Sequence, residues 1–154
     1  MTEALSLALE REHHEIDEEI DAFIAQLSAG TVEAGRLRQA AAALRRHIYL
    51  EEVFLFPPLR DAGMVAPVFV MLREHGQMWR TLDAIELELA VDPDQAVLQK
   101  LSRELVVQLQ HHNPKEEQIL YPQADLALDD QAAERLHEFL DSGALPEGWV
   151  CERA

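Results

Sequence analysis

Along most of the chain, apolar residues return every three or four positions with charged residues between them. Leu9, His13, Ile16, Ile20 and Phe23 share one face of a first helix, since a turn takes about 3.6 residues. Gly30 ends this helix, and Thr31 is placed to cap the second by accepting from an unpaired helix N–H. The second helix carries Leu37, Leu44, His47 and Phe54 and is expected to stop at Pro57-Pro58. A third begins near Pro67 and turns Met71, Met78, Leu82 and Ile85 inward. Asp92-Pro93 then reads as a cap with proline at the first helical position, with Gln95 at capping-box spacing. The fourth helix continues to about Tyr121-Pro122, and a shorter fifth, capped by Asp129, carries Ala133, Leu136 and Leu140 to Gly143. Leu145 to Ala154 shows no legible period.

No stretch alternates between apolar and polar as a strand would. The expected fold is all-α: an antiparallel up-down-up-down four-helix bundle with a short C-terminal fifth helix. Helices of about 25 residues would each run ~37 Å. Residues 1–124 are assigned to the bundle and 125–154 to a C-terminal helix and tail packed on it or extending from it.

Charge then narrows the partners. The 154 residues hold 13 Lys+Arg against 29 Asp+Glu, a net charge of −16. Nucleic acid and anionic membranes both attract basic surfaces, so neither is expected. No apolar run approaches the ~20 residues of a membrane span. Met1-Thr2-Glu3-Ala4 lacks a basic leader pattern, and one cysteine, Cys151, forms no internal disulfide. The expectation is a cytoplasmic domain.

The chemistry lies in an internal repeat. The second helix reads His47-x3-Glu51-Glu52-x3-Phe56-Pro57, and the fourth reads His112-x3-Glu116-Glu117-x3-Tyr121-Pro122. Arg11-Glu12-His13 of the first helix is echoed by Arg73-Glu74-His75 of the third. Two helical hairpins of the same design would therefore pack about a pseudo-two-fold axis. Residues i and i+4 are ~40° apart in rotation and ~6 Å apart in rise, so each histidine and its glutamate point the same way.

His13, His47, His75 and His112 all fall on core-facing stripes. One inward histidine is ordinarily a hydrogen-bonded core residue, but four, two of them followed by glutamate at i+4, are a donor set. Buried carboxylates without partners would cost several kcal/mol, so they imply something that neutralises them. Imidazole suits iron, zinc or copper, and a carboxylate can bridge two ions. Four imidazoles and two shared carboxylates would then hold two metals, with open positions for a small ligand. His14 and His111 lie one residue off the stripe and read as surface or supporting groups, and His137 on the fifth helix reads as incidental. Glu52 and Glu117 read as acceptors behind the ligands or as outward charges. Pro114 removes a backbone bond to Gln110, and a distortion there would leave Glu117, at i+5, as an alternative ligand to Glu116. Met78 and Trp79 read as core.

At these residues the sequence resembles the hemerythrin-like, or HHE cation-binding, domains, from about Leu5 to Pro122. The resemblance implies a four-helix bundle with a non-haem di-iron centre, oxo- or hydroxo-bridged, for which manganese or zinc could substitute. Carried over, the ligands are His13, His47, Glu51, His75, His112 and Glu116. Oxygen-carrying hemerythrins have His-x3-His on the third helix, whereas here His75 is followed by Trp79. They also use a carboxylate five residues past the fourth-helix histidine. The four-His, two-Glu set is more similar to di-iron proteins implicated in iron–sulfur cluster repair and nitric oxide handling. A ferritin-like site would need Glu-x2-His on two helices. Glu10-x2-His13 has that spacing but starts off the core stripe, and Glu134-x2-His137 lies on the short fifth helix. The resemblance thus implies binding or sensing of O2 or NO, or iron handling under oxidative or nitrosative stress. A redox enzyme reducing NO or peroxide, a metal reservoir and a regulatory module are the alternatives. A protein partner or a homodimer is compatible with all of them.

Overall fold

The computed structural model describes residues 3–154. Its elements are α1 (Leu5–Ser28), α2 (Ala34–Leu50), a π-helical turn π1 (Glu51–Leu55), α3 (Phe56–Asp61), α4 (Val65–Ala90), α5 (Gln95–Lys115), a second π-helical turn π2 (Glu116–Leu120), α6 (Tyr121–Ala127) and α7 (Asp130–Ser142). No strand occurs among the described residues. α2, π1 and α3 form one continuous rod, and α5, π2 and α6 form another. Contacts fix the chain directions. Along α1, Leu27, His13 and Ser6 meet Gln95, Glu117 and Asp125 in turn. Along α2, Arg38 and Arg45 meet Leu89 and Asp83 of α4. Both pairs therefore run in opposite directions.

The buried interior has two apolar clusters with a polar layer between them. One holds Ile16, Phe23, Leu44, Met78, Leu82 and Leu109, and the other holds Leu9, Leu50, Phe56, Met71, Leu120 and Tyr121. His13, His47, Glu51, His75, His112 and Glu116 are buried between them. Among the described residues no helix is long and apolar enough to cross a membrane.

Several boundaries differ from the sequence expectation, each for a local reason. Pro57-Pro58 and Pro122 do not stop their helices. They sit in the first turns of α3 and α6, just after π1 and π2. A proline ring clashes with the carbonyl four residues before it, and a widened turn gives that carbonyl room. The Phe56 N–H accordingly reaches back five residues to Glu51 O, and the Tyr121 N–H to Glu116 O. The extra residue in π1 leaves Phe54 only partly buried and brings Leu55 and Phe56 into the core. The cap of α5 is Asp94, not Asp92: its side chain accepts from the Ala96 and Val97 N–H groups. Gln95 Nε2 donates instead to Leu27 O. Glu33, not Thr31, precedes α2, without a side-chain cap. Asp129 does cap α7, accepting from the Ala132 N–H. α5 runs through Pro114 to Lys115, so the distortion falls past it, in π2.

The aperiodic tail also has a place. Trp149 packs edge-on against Tyr49 and Trp79, at centroid distances of 5.0 and 5.6 Å. Cys151 is buried with the first cluster.

Candidate metal centre

The polar layer is built from four helical rods, each contributing at one level. α1 supplies His13, α4 supplies His75, and the two π-interrupted rods supply His47 with Glu51 and His112 with Glu116. In the buried layer, potential ligand atoms gather into two sets, His13, His47, Glu51, Glu116 and Glu51, His75, His112, Glu116, each within 4.8 Å, while a third set, Glu10, His14 and Glu117, lies nearer the surface. Both buried sets contain both carboxylates, so Glu51 and Glu116 lie between the two histidine pairs. Glu51 places Oε2 3.4 Å from His47 Nε2 and Oε1 3.2 Å from His75 Nε2. Glu116 places Oε1 2.8 Å from His112 Nε2 and 3.3 Å from His13 Nε2, and Oε2 3.8 Å from His75 Nε2.

Close approach without hydrogen bonding marks this cluster. Glu51 Oε1, both oxygens of Glu116 and His75 Nε2 are buried with no hydrogen-bond partner. The atoms converge on shared points instead of aiming at one another. Buried polar atoms are ordinarily satisfied, and a cation at those points would satisfy all four. The residues present therefore fit a pair of metal ions by donor type, burial and direction.

Behind each imidazole stands a second carboxylate. Nδ1 of His13 meets Glu117 at 3.2 Å, His47 meets Glu12 at 2.9 Å, His75 meets Glu52 at 2.7 Å, and His112 meets Glu74 at 2.9 Å. Such contacts fix the ring and leave Nε2 facing inward. The repeat is obeyed: Glu12 and Glu74 serve histidines of their own hairpin, while Glu52 and Glu117 serve the other hairpin. Glu117 thus lies behind His13, and Glu116 lies inside. His14 and His111 are exposed, near Glu117 and Glu74 respectively, and His137 lies on α7 away from the layer.

Electrostatics follows from this geometry. Burial pushes the His47 imidazole down, but Glu51 and Glu12 hold it up at about 10. His75 is likewise raised well above its ordinary value, against burial, by Glu116, Glu51 and Glu52. Burial pushes Glu116 up, yet three imidazoles, His112 foremost, hold it well below the usual carboxylate range. Glu74, also opposed by burial, is held down to about 2 by His112 and Lys115. In the metal-free chain the neighbouring carboxylates thus favour the protonated form of all four imidazoles.

Tyr121 is a site residue that the sequence reading passed over as the aromatic close of a repeat. Its O–H donates to Glu51 Oε2 at 2.7 Å, and its oxygen lies 2.7 Å from His13 Nε2 and 3.0 Å from His47 Nε2. Phe56, its counterpart in the other hairpin, stacks on His75 instead. The available signal was the mismatch itself, a phenol against a phenyl at equivalent positions of a repeat that puts both at the buried layer.

A helical bundle with paired histidine–carboxylate sets in its core defines a class of metal-binding helical protein. The family model described as Hemerythrin HHE cation binding domain matches residues 5–124, and the chain belongs to that family. No curated protein and no solved structure matches the chain.

Proposed function

We propose that this chain binds two iron ions and that the pair binds or senses a diatomic ligand, O2 or NO, under oxidative or nitrosative stress. The observation that carries the reading is the division of six buried side chains into two four-residue sets that share Glu51 and Glu116. His13 and His47 would hold one ion, His75 and His112 the other, and the two carboxylates would span them. When bound, the metals would supply redox-active Lewis-acid positions. The chain's own contribution is to fix donor directions through Glu12, Glu52, Glu74 and Glu117, and to exclude water.

A narrow internal space lies within the cluster itself. It is lined by the four histidines, Glu51 and Glu116 together with Leu44, Ile48, Met78, Leu109 and Asn113, and it leaves no room for an organic substrate.

The test is metal analysis after anaerobic reconstitution, followed by spectra before and after O2 and NO. Two irons per chain and stable adducts are expected. His47→Ala and His112→Ala should each lower the metal content sharply, while His14→Ala and His111→Ala should not. A reproducible single metal per chain would overturn the shared-carboxylate arrangement. Sustained consumption of NO or peroxide with a reductant would move the reading to a redox enzyme.

A further inference from the structure

The four carboxylates behind the imidazoles are not supported alike. Glu12 is approached by Arg46 at 3.4 Å, Glu74 is paired with Lys115, and Glu117 lies 4.0 Å from His14. Glu52 instead accepts a main-chain hydrogen bond, at 2.9 Å, from the N–H of Glu152. Its other oxygen holds His75 Nδ1 at 2.7 Å. Glu152 stands outside residues 5–124, the span of the family match.

The tail reaches Glu52 through a specific docking. Trp149 lies against Tyr49 and Trp79, with the Arg45 guanidinium 4.3 Å over the Trp79 ring. Cys151 is buried, and Arg80 donates to Arg153 O at 3.0 Å. Gly76, next to His75, lets the tail lie flat on α4: a Cβ there would stand 2.3 Å from Arg153 O. The hydrogen bond to Glu52 and the close approach to Gly76 both fall beside His75, a histidine of one set.

We infer that residues 149–153 form a positioning strap for one metal of the pair, holding His75 through Glu52 while leaving the His13–His47 set alone. This rests on the two-metal reading above. Binding of that ion and docking of the tail are then coupled, and the coupling is reciprocal: each strengthens the other by the same factor. Partners behind a metal-ligating histidine commonly change affinity by about 10–100-fold.

The experiment uses the full chain with Zn2+ or anaerobic Fe2+ as probe, reading stepwise metal affinity and the rate of Cys151 alkylation. Gly76→Ala adds a methyl group that displaces the tail yet favours the helix, so loss of folding does not confound it. Glu152→Pro removes the donating N–H, whereas Glu152→Ala keeps it. Gly76→Ala and Glu152→Pro should keep one tight ion and weaken the other by about 10–100-fold, with Glu152→Ala like wild type. Metal loading should slow Cys151 alkylation in the wild type and not in Gly76→Ala. Equal weakening of both ions, no weakening, or alkylation indifferent to metal would overturn the strap while the two-metal reading stands. A wild-type chain that takes up no metal would overturn that reading and the strap with it.

Discussion

Tyr121 and Phe56 occupy matching places in the two hairpins, yet only Tyr121 brings a hydroxyl to the buried layer. In the metal-free chain that hydroxyl is a hydrogen-bond partner of Glu51 Oε2 inside the buried layer. Tyr121→Phe keeps the ring and strands the carboxylate oxygen, a change that costs about 1–3 kcal/mol when the group left behind is buried. The metal-free variant should lose that much stability in a denaturant melt. With metal bound the loss should shrink, because an ion then satisfies the same oxygen. An equal loss in both forms would place Glu51 Oε2 outside the metal's reach.

The π-helical turns are the feature of the elements that sequence periodicity did not show, although the helices themselves and the inward placing of four histidines and two glutamates were legible. Apolar stripes at three- and four-residue spacing suffice to place His13, Ile16, Ile20 and Phe23 on one face, and that face is buried. In the other two rods, one buried row runs in steps of four across the π turns: His47, Glu51, Leu55 and Leu59, then His112, Glu116, Leu120 and Ala124. An α-helix advances about 3.6 residues per turn, so repeated steps of four drift around it by ~40° each. One extra residue in a widened turn absorbs that drift, and the following prolines make such a turn favourable. Caps were less legible, because Asp92 and Asp94 are equally plausible by residue type and only the loop's path selects the second. The tail was illegible for a different reason: it is held by Trp149, Cys151 and main-chain bonds, none of which has a period. Deleting exposed Ile119 together with Pro122→Ala should return π2 to α-helix and keep Glu116 and Tyr121 inward. Deleting exposed Val107 should rotate Glu116 away by ~100° relative to the residues before the deletion. Helix content and metal stoichiometry measured on both deletions should survive the first and collapse in the second.

Across the whole molecule, the buried layer ties folding to protons in one state and to metal in the other. In the metal-free chain the His47 imidazole has its pKa raised from 6.5 to about 10, against burial, by Glu51 and Glu12. The folded state therefore binds this proton more tightly than the unfolded state does. Its stabilising contribution is fully present below about 6.5, the ordinary histidine value, and is lost as pH rises through about 10. His13, His75 and His112 are shifted in the same direction by their own carboxylates. Metal-free stability should accordingly fall as pH rises from neutrality. Metal-loaded protein should not follow it, because a ligated imidazole is already deprotonated and rising pH removes the competing proton. Loading also stabilises the fold, since the sites exist only in the folded chain. The difference in thermal midpoint between loaded and metal-free protein should therefore widen from pH 6.5 towards pH 10. The measurement is a pair of melts at each pH on preloaded, desalted protein and on its chelator-treated counterpart. A difference that narrows as pH rises would mean that the imidazoles keep their protons when metal is bound, and the histidines would then have to be withdrawn as ligands.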